Sequence, residues 1–114
     1  MSPYQLRKNP YQGNYPRALF VCSAGMLRSA TACHVMAGHG WNTRCAGTEE
    51  YAIQPLHPNT MDWAQEIYCM EAYHADHIPD RFKDKVIVLD ILDVYTYRHP
   101  DLIAVIEEKL LGSS

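Results

Sequence analysis

The chain lacks the features that mark membrane, secreted and nucleic-acid-binding proteins. None of its apolar runs approaches the roughly 20 residues of a membrane span, and residues 1–16 contain no apolar core of signal-peptide length. Lys and Arg number 10 against 13 Asp and Glu, and the resulting net charge of −3 offers no basic surface for nucleic acid. We therefore expect a cytoplasmic monomer that binds neither nucleic acid nor a membrane.

Cysteine is sparse and unpaired in the sequence. The 114 residues contain four cysteines and no CxxC motif: Cys22, Cys33, Cys45 and Cys69. In a reducing compartment these are expected to be free thiols. The segment 71–77 places Glu and His three residues apart, but a di-iron bundle needs a second such motif, so a polar helix face is favoured. We expect neither a metal nor another cofactor.

Patterns typical of strands alternate with patterns typical of helices after residue 16. We predict strands at 18–22, 41–46, 67–70 and 85–89, and helices at 27–37, 59–65 (capped by Asn59 or Thr60), 71–78 and from the N-cap Asp101 onward. This alternation predicts an α/β fold of three layers, in which a four-stranded parallel sheet carries helices on both faces. Residues 1–16, rich in Pro, Asn and Tyr, are predicted to be an N-terminal arm, and 17–114 a single domain.

The most specific motif begins at the last residue of the first predicted strand. Cys22 is followed by five residues and then by Arg28 and Ser29, between a buried strand and the start of a helix. The backbone N–H groups of the loop would converge with the positive end of the helix on one point; the loop residues are Ser23, Ala24, Gly25, Met26 and Leu27. Arg28 can hold two phosphate oxygens at once, and such a cluster of donors favours the thiolate form of Cys22. The motif therefore predicts a phosphate-binding loop with a nucleophile at its floor.

Two residues of this motif have simpler alternatives. Ser29 is predicted to donate a hydrogen bond to the sulfur of Cys22, which would stabilise the thiolate and ease its departure from phosphorus; capping the helix is its simpler role. Cys22 itself would, in the simplest interpretation, be a small buried hydrophobe that ends a strand. The strand–loop–helix context on both sides favours the nucleophile.

A general acid is the second group that the chemistry needs. A thiolate displaces an alkoxide or phenoxide from phosphorus efficiently only when the leaving oxygen is protonated. Asp90 and Asp93 follow the fourth predicted strand. We predict that Asp93, further along the loop, is the acid, because Asp90 at the strand end is better placed to cap a turn; an ordinary solvated role stays open for both. Tyr95 is a candidate to accept an aromatic ring at the entrance, and a half-buried surface tyrosine fits the pattern equally well.

These motifs together resemble the low-molecular-weight protein tyrosine phosphatases, in particular a short bacterial or phage branch of that family. The resemblance extends over 18–111. The matching segments are the opening strand at 18–22, the phosphate loop at 22–29, a turn similar to Ser-Ala-Gly-Thr at 45–48, a Met-Glu at 70–71 where the family has Met-Asp, and an acid loop similar to Asp-Pro-Tyr at 93–95.

The resemblance implies a catalytic mechanism as well as a fold. It implies hydrolysis of phosphotyrosine monoesters, in a protein or a small aryl phosphate, through a cysteinyl-phosphate intermediate and without a metal. Cys22 would be the nucleophile, Arg28 the phosphate clamp and Asp93 the general acid. Ser29 would be the partner of the thiolate.

Departures from the family pattern leave other functions open. Leu27 replaces the second Cys of the family's loop, so a disulfide within the loop is not expected. Gly25 replaces an Asn, and no Pro follows Asp93, which motivates a phosphate-binding module without turnover. Arsenate reductase shares the fold and the loop, but it needs resolving cysteines, for which Cys69 is the one candidate. A preference for phosphotyrosine over phosphoserine depends on the depth of the pocket.

Overall fold

The computed structural model describes residues 16–23, 27–49, 52 and 54–112. In this part of the chain the strands are β1 (Arg17–Cys22), β2 (Asn42–Gly47), β3 (Glu66–Cys69) and β4 (Val86–Val88). The α-helices are α1 (Arg28–Gly38), α2 (Pro58–Trp63), α3 (Ala72–Ala75) and α4 (Pro100–Leu111), and a 3₁₀ helix (Asp80–Lys85) leads into β4. The predicted arm, apart from Pro16, lies outside the described residues.

The four strands form one parallel sheet in the order β2-β1-β3-β4. The central strand β1 lies between β2 and β3, and its residues 18–21 have no exposed surface. A strand covered on both faces explains its continuous apolar run. The predicted α/β fold with a four-stranded parallel sheet is confirmed.

Helices cover both faces of this sheet. On one face the Phe20 and Tyr68 rings stack with centroids 5.2 Å apart, and α1 and α4 pack over them. On the other face α2 and the 3₁₀ helix pack over Leu19 and its neighbours. Because successive side chains of a strand point to opposite faces, Cys22 lies on the α1–α4 face and Cys69 on the opposite face.

Two helices begin with histidine caps. The Nδ1 atom of His57 accepts a hydrogen bond from the Asn59 N–H at the start of α2, at 3.1 Å. The Nδ1 atom of His99 accepts one from the Asp101 N–H at the start of α4, also at 3.1 Å. The imidazole nitrogen here accepts the hydrogen bond that a Ser or Asp oxygen usually accepts. The predicted caps, Asp101 for α4 and Asn59 or Thr60 for α2, are therefore wrong.

The helix predicted at 71–78 is only the four-residue α3. Beyond it the chain turns, with the Ile78 N–H donating to the Ala75 carbonyl at 3.0 Å. Ile78 is then buried on the α2 face of the sheet. Burial of this side chain ends the helix early.

Candidate active site

The end of β1 and the first turn of α1 bring Cys22 and Ser29 into contact. The Cys22 Sγ and Ser29 Oγ atoms are 3.0 Å apart, and both residues are buried. A hydroxyl at this distance can donate to a thiolate, the interaction that the sequence predicts for this pair. The predicted phosphate-binding residues Ala24, Gly25 and Met26 lie outside the described residues.

Arg28 follows β1 and contacts the segments that follow β3 and β4. Its side chain is only 2% exposed. Its Nη1 atom donates to the Ile91 carbonyl at 2.7 Å and lies 3.4 Å from Oε2 of Glu71. Its Nε atom lies 3.8 Å from Oδ1 of Asp93. The two N–H groups of Nη2 take no part in these three contacts, so they are suited to a phosphate oxygen.

The two candidate acids have different surroundings. The backbone beyond β4 stays paired with the segment that follows β3, because the Ile91 N–H donates to the Met70 carbonyl at 2.8 Å. This pairing directs the following residues to the edge of the sheet where Cys22 lies, and there the 61% exposed Asp93 lies beside Arg28. Asp90 is exposed and has a φ of 56°, the left-handed conformation of a turn residue. Among the described residues, Asp93 is thus the aspartate that pairs with Arg28.

A side-chain network anchors Ser23, the residue that follows Cys22. The Ser23 Oγ atom lies 3.1 Å from Nε2 of His74 and 3.0 Å from the hydroxyl of Tyr73. The Nδ1 atom of His74 accepts a hydrogen bond from the Glu71 N–H at 3.0 Å. Burial, with the Arg28 guanidinium nearby, lowers the pKa of His74 from 6.5 to about 4. The ring is therefore neutral at physiological pH.

Exposed apolar and aromatic residues lie next to residues of the site, and we call them the apolar rim. We use this name for four exposed residues, each adjacent in sequence or hydrogen-bonded to a residue of the site: Leu27, Tyr73, Leu92 and Val94. Tyr95, the aromatic residue predicted for the entrance, is half-buried against the α1–α4 core, its ring 5.8 Å from that of His99. Exposed apolar side chains grouped at a site favour an apolar ligand.

The other three cysteines have surroundings different from those of Cys22. Cys69 is fully buried on the α2 face, and burial raises its pKa to about 11. Cys33 of α1 and Cys45 of β2 are hydrogen-bonded to each other; this bond lowers the pKa of Cys45 to about 7 and raises the pKa of Cys33. The four cysteines are free thiols.

Two further observations concern the described residues. No group of three or more His, Cys, Asp or Glu side chains within them is arranged to hold a metal ion. None of their helices combines the length and the apolar character needed to cross a membrane.

Sequence reasoning missed two residues of this site. Glu71 pairs with Arg28, and His74 is fully buried against Ser23, so the predicted polar helix face is wrong for His74. The signal was their position directly after β3, because the carboxyl ends of neighbouring parallel strands meet at one edge of a sheet. The spacing of a Glu N-cap and a polar residue three positions later also fits a capping box, which the structure forms.

Comparisons with known proteins identify the fold. No protein-family model and no curated protein sequence matches the chain. The YwlE arginine phosphatase from Geobacillus stearothermophilus is 22% identical, with a TM-score of 0.65 over 85% of this chain and 87% of that one. The Erwinia amylovora tyrosine phosphatase AmsI is 17% identical, with a TM-score of 0.69 over 85% and 90%. A low-molecular-weight phosphotyrosine phosphatase from Vibrio cholerae O395 is 15% identical, with a TM-score of 0.60 over 85% and 93%.

Each of these similarities extends over 85% of this chain. Within the chain, strands and helices alternate and the strands form one four-stranded sheet. The resemblance first suggested by the loop from Cys22 to Ser29 therefore extends to the whole architecture. The chain adopts the fold of the low-molecular-weight protein tyrosine phosphatases.

Proposed function

We propose that this protein hydrolyses phosphotyrosine monoesters, in proteins or small aryl phosphates, through a cysteinyl-phosphate intermediate. The observation that carries the proposal is the 3.0 Å contact between the Cys22 sulfur and the Ser29 hydroxyl, next in sequence to the buried Arg28. The structurally similar proteins named above are tyrosine and arginine phosphatases, which supports a phosphatase activity.

In the first step the Cys22 thiolate attacks phosphorus on the side opposite the leaving oxygen. The S–P bond forms as the P–O bond to the phenol breaks, and Asp93 gives its proton to the departing oxygen. Arg28 binds two of the remaining phosphoryl oxygens and stabilises the charge that they share in the transition state. Because Ile91 and Glu71 hold its Nη1 atom, the guanidinium is oriented before the substrate arrives.

Asp93 is placed to act on the leaving group. Its Oδ1 atom lies 3.8 Å from the Nε atom of Arg28. A phosphate group held by Arg28 would therefore lie next to Asp93, which as the general acid gives its proton to the leaving oxygen.

In the second step water hydrolyses the thiophosphate. The Asp93 carboxylate, which has lost its proton, now takes one from the attacking water. The new P–O bond forms, the S–P bond breaks, and Cys22 leaves as a thiolate that the Ser29 hydroxyl stabilises. Inorganic phosphate is the product, and Asp93 has regained its proton for the next cycle.

The apolar rim supports an aryl substrate. Leu92 and Val94 lie on either side of Asp93 and are both exposed, so the leaving group of a bound phosphate ester would meet hydrocarbon. A phenyl ring buries more apolar surface there than the single methylene of phosphoserine.

One experiment tests both activity and substrate class. Peptides of one sequence carrying phosphotyrosine, phosphoserine or phosphoarginine are compared by kcat/KM, with Cys22→Ser as the inactive control. We expect phosphotyrosine to be preferred by about tenfold or more, and labelled phosphate to be trapped on Cys22 after rapid quenching. Equal rates for phosphoserine, or a preference for phosphoarginine, would contradict the substrate class. A wild-type protein that binds phosphate but is as inert as Cys22→Ser is a binding module.

The position of Cys69 argues against arsenate reduction. A reductase would pass a disulfide from Cys22 to a second thiol, but Cys69 lies on the opposite face of the sheet. We expect no consumption of thiols with arsenate. A consumption that Cys69→Ser abolishes would favour the reductase.

A further inference from the structure

We propose that His74 is a positioning residue for the phosphate loop, which it fixes by holding the hydroxyl of Ser23. The inference rests on the proposed function, because the loop that His74 would fix is the loop that binds the phosphate group. His74 has no exposed surface and its ring bonds to Ser23, so the effect on the reaction that we propose passes through Ser23.

The hydrogen bonds of His74 determine where its proton lies. The Nδ1 atom accepts from the Glu71 N–H at 3.0 Å, so the single proton of the neutral ring is on Nε2. That Nε2–H donates to the Ser23 Oγ atom at 3.1 Å. Ser23 keeps its own proton, which it can donate to the Tyr73 hydroxyl 3.0 Å away. Each of the three hydrogen bonds from the Glu71 N–H to the Tyr73 hydroxyl thus has one donor and one acceptor.

Two backbone hydrogen bonds also hold the chain at Cys22 and Ser23. The Cys22 carbonyl accepts from the Thr48 N–H and the Ser23 carbonyl from the Glu49 N–H, each at 3.0 Å. These bonds join the two residues to the segment after β2. The bond from His74 joins Ser23 to the segment after β3. Ser23 is thus held by two different segments of the fold.

Two substitutions of His74 separate the two hydrogen bonds of its ring. The amide nitrogen of Gln lies near the position of Nε2, so His74→Gln keeps a donor for Ser23 and loses the acceptor for the Glu71 N–H. The amide oxygen of Asn lies near the position of Nδ1, so His74→Asn keeps that acceptor and loses the bond to Ser23. A merely structural role would make the variants similar in activity, or Gln the worse of the two.

The experiment measures catalysis, phosphate affinity and stability for each variant. We use kcat/KM for p-nitrophenyl phosphate, the inorganic phosphate concentration that protects Cys22 from iodoacetamide, and urea unfolding. Alkylation is followed peptide by peptide with mass spectrometry, because the hydrogen bond with Cys33 lowers the pKa of Cys45 to about 7 and alkylation of Cys45 must be distinguished from that of Cys22. Ser23→Ala removes the hydrogen bond between His74 and Ser23 by deleting its acceptor, the hydroxyl of the half-buried Ser23.

We expect His74→Asn and Ser23→Ala each to lose about tenfold in phosphate affinity and in kcat/KM, the loss expected for one buried hydrogen bond. His74→Gln is expected to stay within about threefold of the wild-type protein. The double variant His74→Asn/Ser23→Ala should be no worse than either single variant, because both remove one interaction.

Three results would overturn the inference: equal phosphate affinity in His74→Asn and His74→Gln, an unaffected Ser23→Ala, or additive losses in the double variant. Failure of the proposed function has a different signature. If the proposed function is wrong, the wild-type protein itself shows no turnover and phosphate does not protect its Cys22 from alkylation. The inference about His74 then fails together with the proposed function. An active wild-type protein with a normal His74→Asn variant removes only the role of His74.

Discussion

Cys22 and Cys69 end neighbouring strands of one sheet, and both are buried, yet their surroundings are opposite. Cys22 contacts a hydroxyl and is followed by the start of α1 and the buried Arg28. Cys69 packs among apolar side chains on the other face, and burial raises its pKa to about 11. The comparison teaches that two thiols at the carboxyl ends of neighbouring strands can have entirely different surroundings. The function that we propose for Cys22 depends on the polar groups near its sulfur, which Cys69 lacks.

Exchange of each cysteine for serine gives the largest expected contrast. Cys22→Ser should lower kcat for p-nitrophenyl phosphate at least about a thousandfold, because a hydroxyl lacks the nucleophilicity of the thiolate. Cys69→Ser should keep kcat within about twofold, while the buried hydroxyl destabilises the fold by about 1–3 kcal/mol. Steady-state kinetics and urea unfolding of both variants check this. A Cys69→Ser variant that is stable but inactive would show that the two cysteines are not as different as their surroundings indicate.

The acid at the Cys22 edge can be tested with a matched pair. Asp93→Asn should lower kcat for a poor leaving group about a hundredfold, because the proton donor is lost. Asp90→Asn should have less than about a twofold effect, since Asn also tolerates the positive φ of this position. A larger loss for Asp90→Asn would reassign the acid. Substrates with a range of leaving-group basicity give the measurement.

Alkylation rates sharpen the contrast between the thiols themselves. At pH 7.5 iodoacetamide should label Cys45, whose pKa is lowered to about 7, and leave the native Cys69 unlabelled because its pKa is about 11. Cys22 should react quickly without phosphate and slowly with it. Peptide mapping by mass spectrometry distinguishes the sites. Rapid labelling of Cys69 in the folded protein would contradict its placement in the core.

The last prediction concerns stability rather than turnover: His74 should make the stability of the fold depend on pH. The folded ring stays neutral to about pH 4, whereas the unfolded ring gains its proton near 6.5. Unfolding therefore takes up a proton between these values, and the free energy of unfolding falls as pH falls from 6.5 to 4, by up to about 3 kcal/mol. The charged or titratable groups around the ring are Arg28, Glu71, His77 and Asp93. Urea titrations across this window should show a shallower decline for His74→Gln; equal slopes would contradict the prediction.

The parts of the molecule that local patterns determine were predictable from the sequence. The apolar run of β1 predicts a strand buried on both faces, and the motif from Cys22 to Ser29 predicts which side chains meet at its end. The strand and the motif are both patterns of residues that are close in the chain. The parallel sheet was predicted from the alternation of strand and helix patterns.

The contacts between distant segments were not predictable in the same way. Glu71 and His74 read as a polar helix face, because only the packing of β3 beside β1 brings them to Arg28 and Ser23. The histidine caps at His57 and His99 were missed for another reason. Histidine is an uncommon N-cap, whereas Ser, Thr, Asp and Asn are common ones. The prediction therefore chose a later Asn, Thr or Asp in each helix, on the C-terminal side of the true cap.

The bond from Arg28 to the Ile91 carbonyl joins the start of α1 to the segment after β4 through a main-chain oxygen. If the segment after β4 is replaced by the equivalent segment of a structurally similar protein, the new segment must place a backbone oxygen at the same position. Without that oxygen the Nη1 atom of Arg28 would lose its hydrogen bond, whatever side chains the new segment carries. We therefore expect such grafts to work only when the two main-chain paths match.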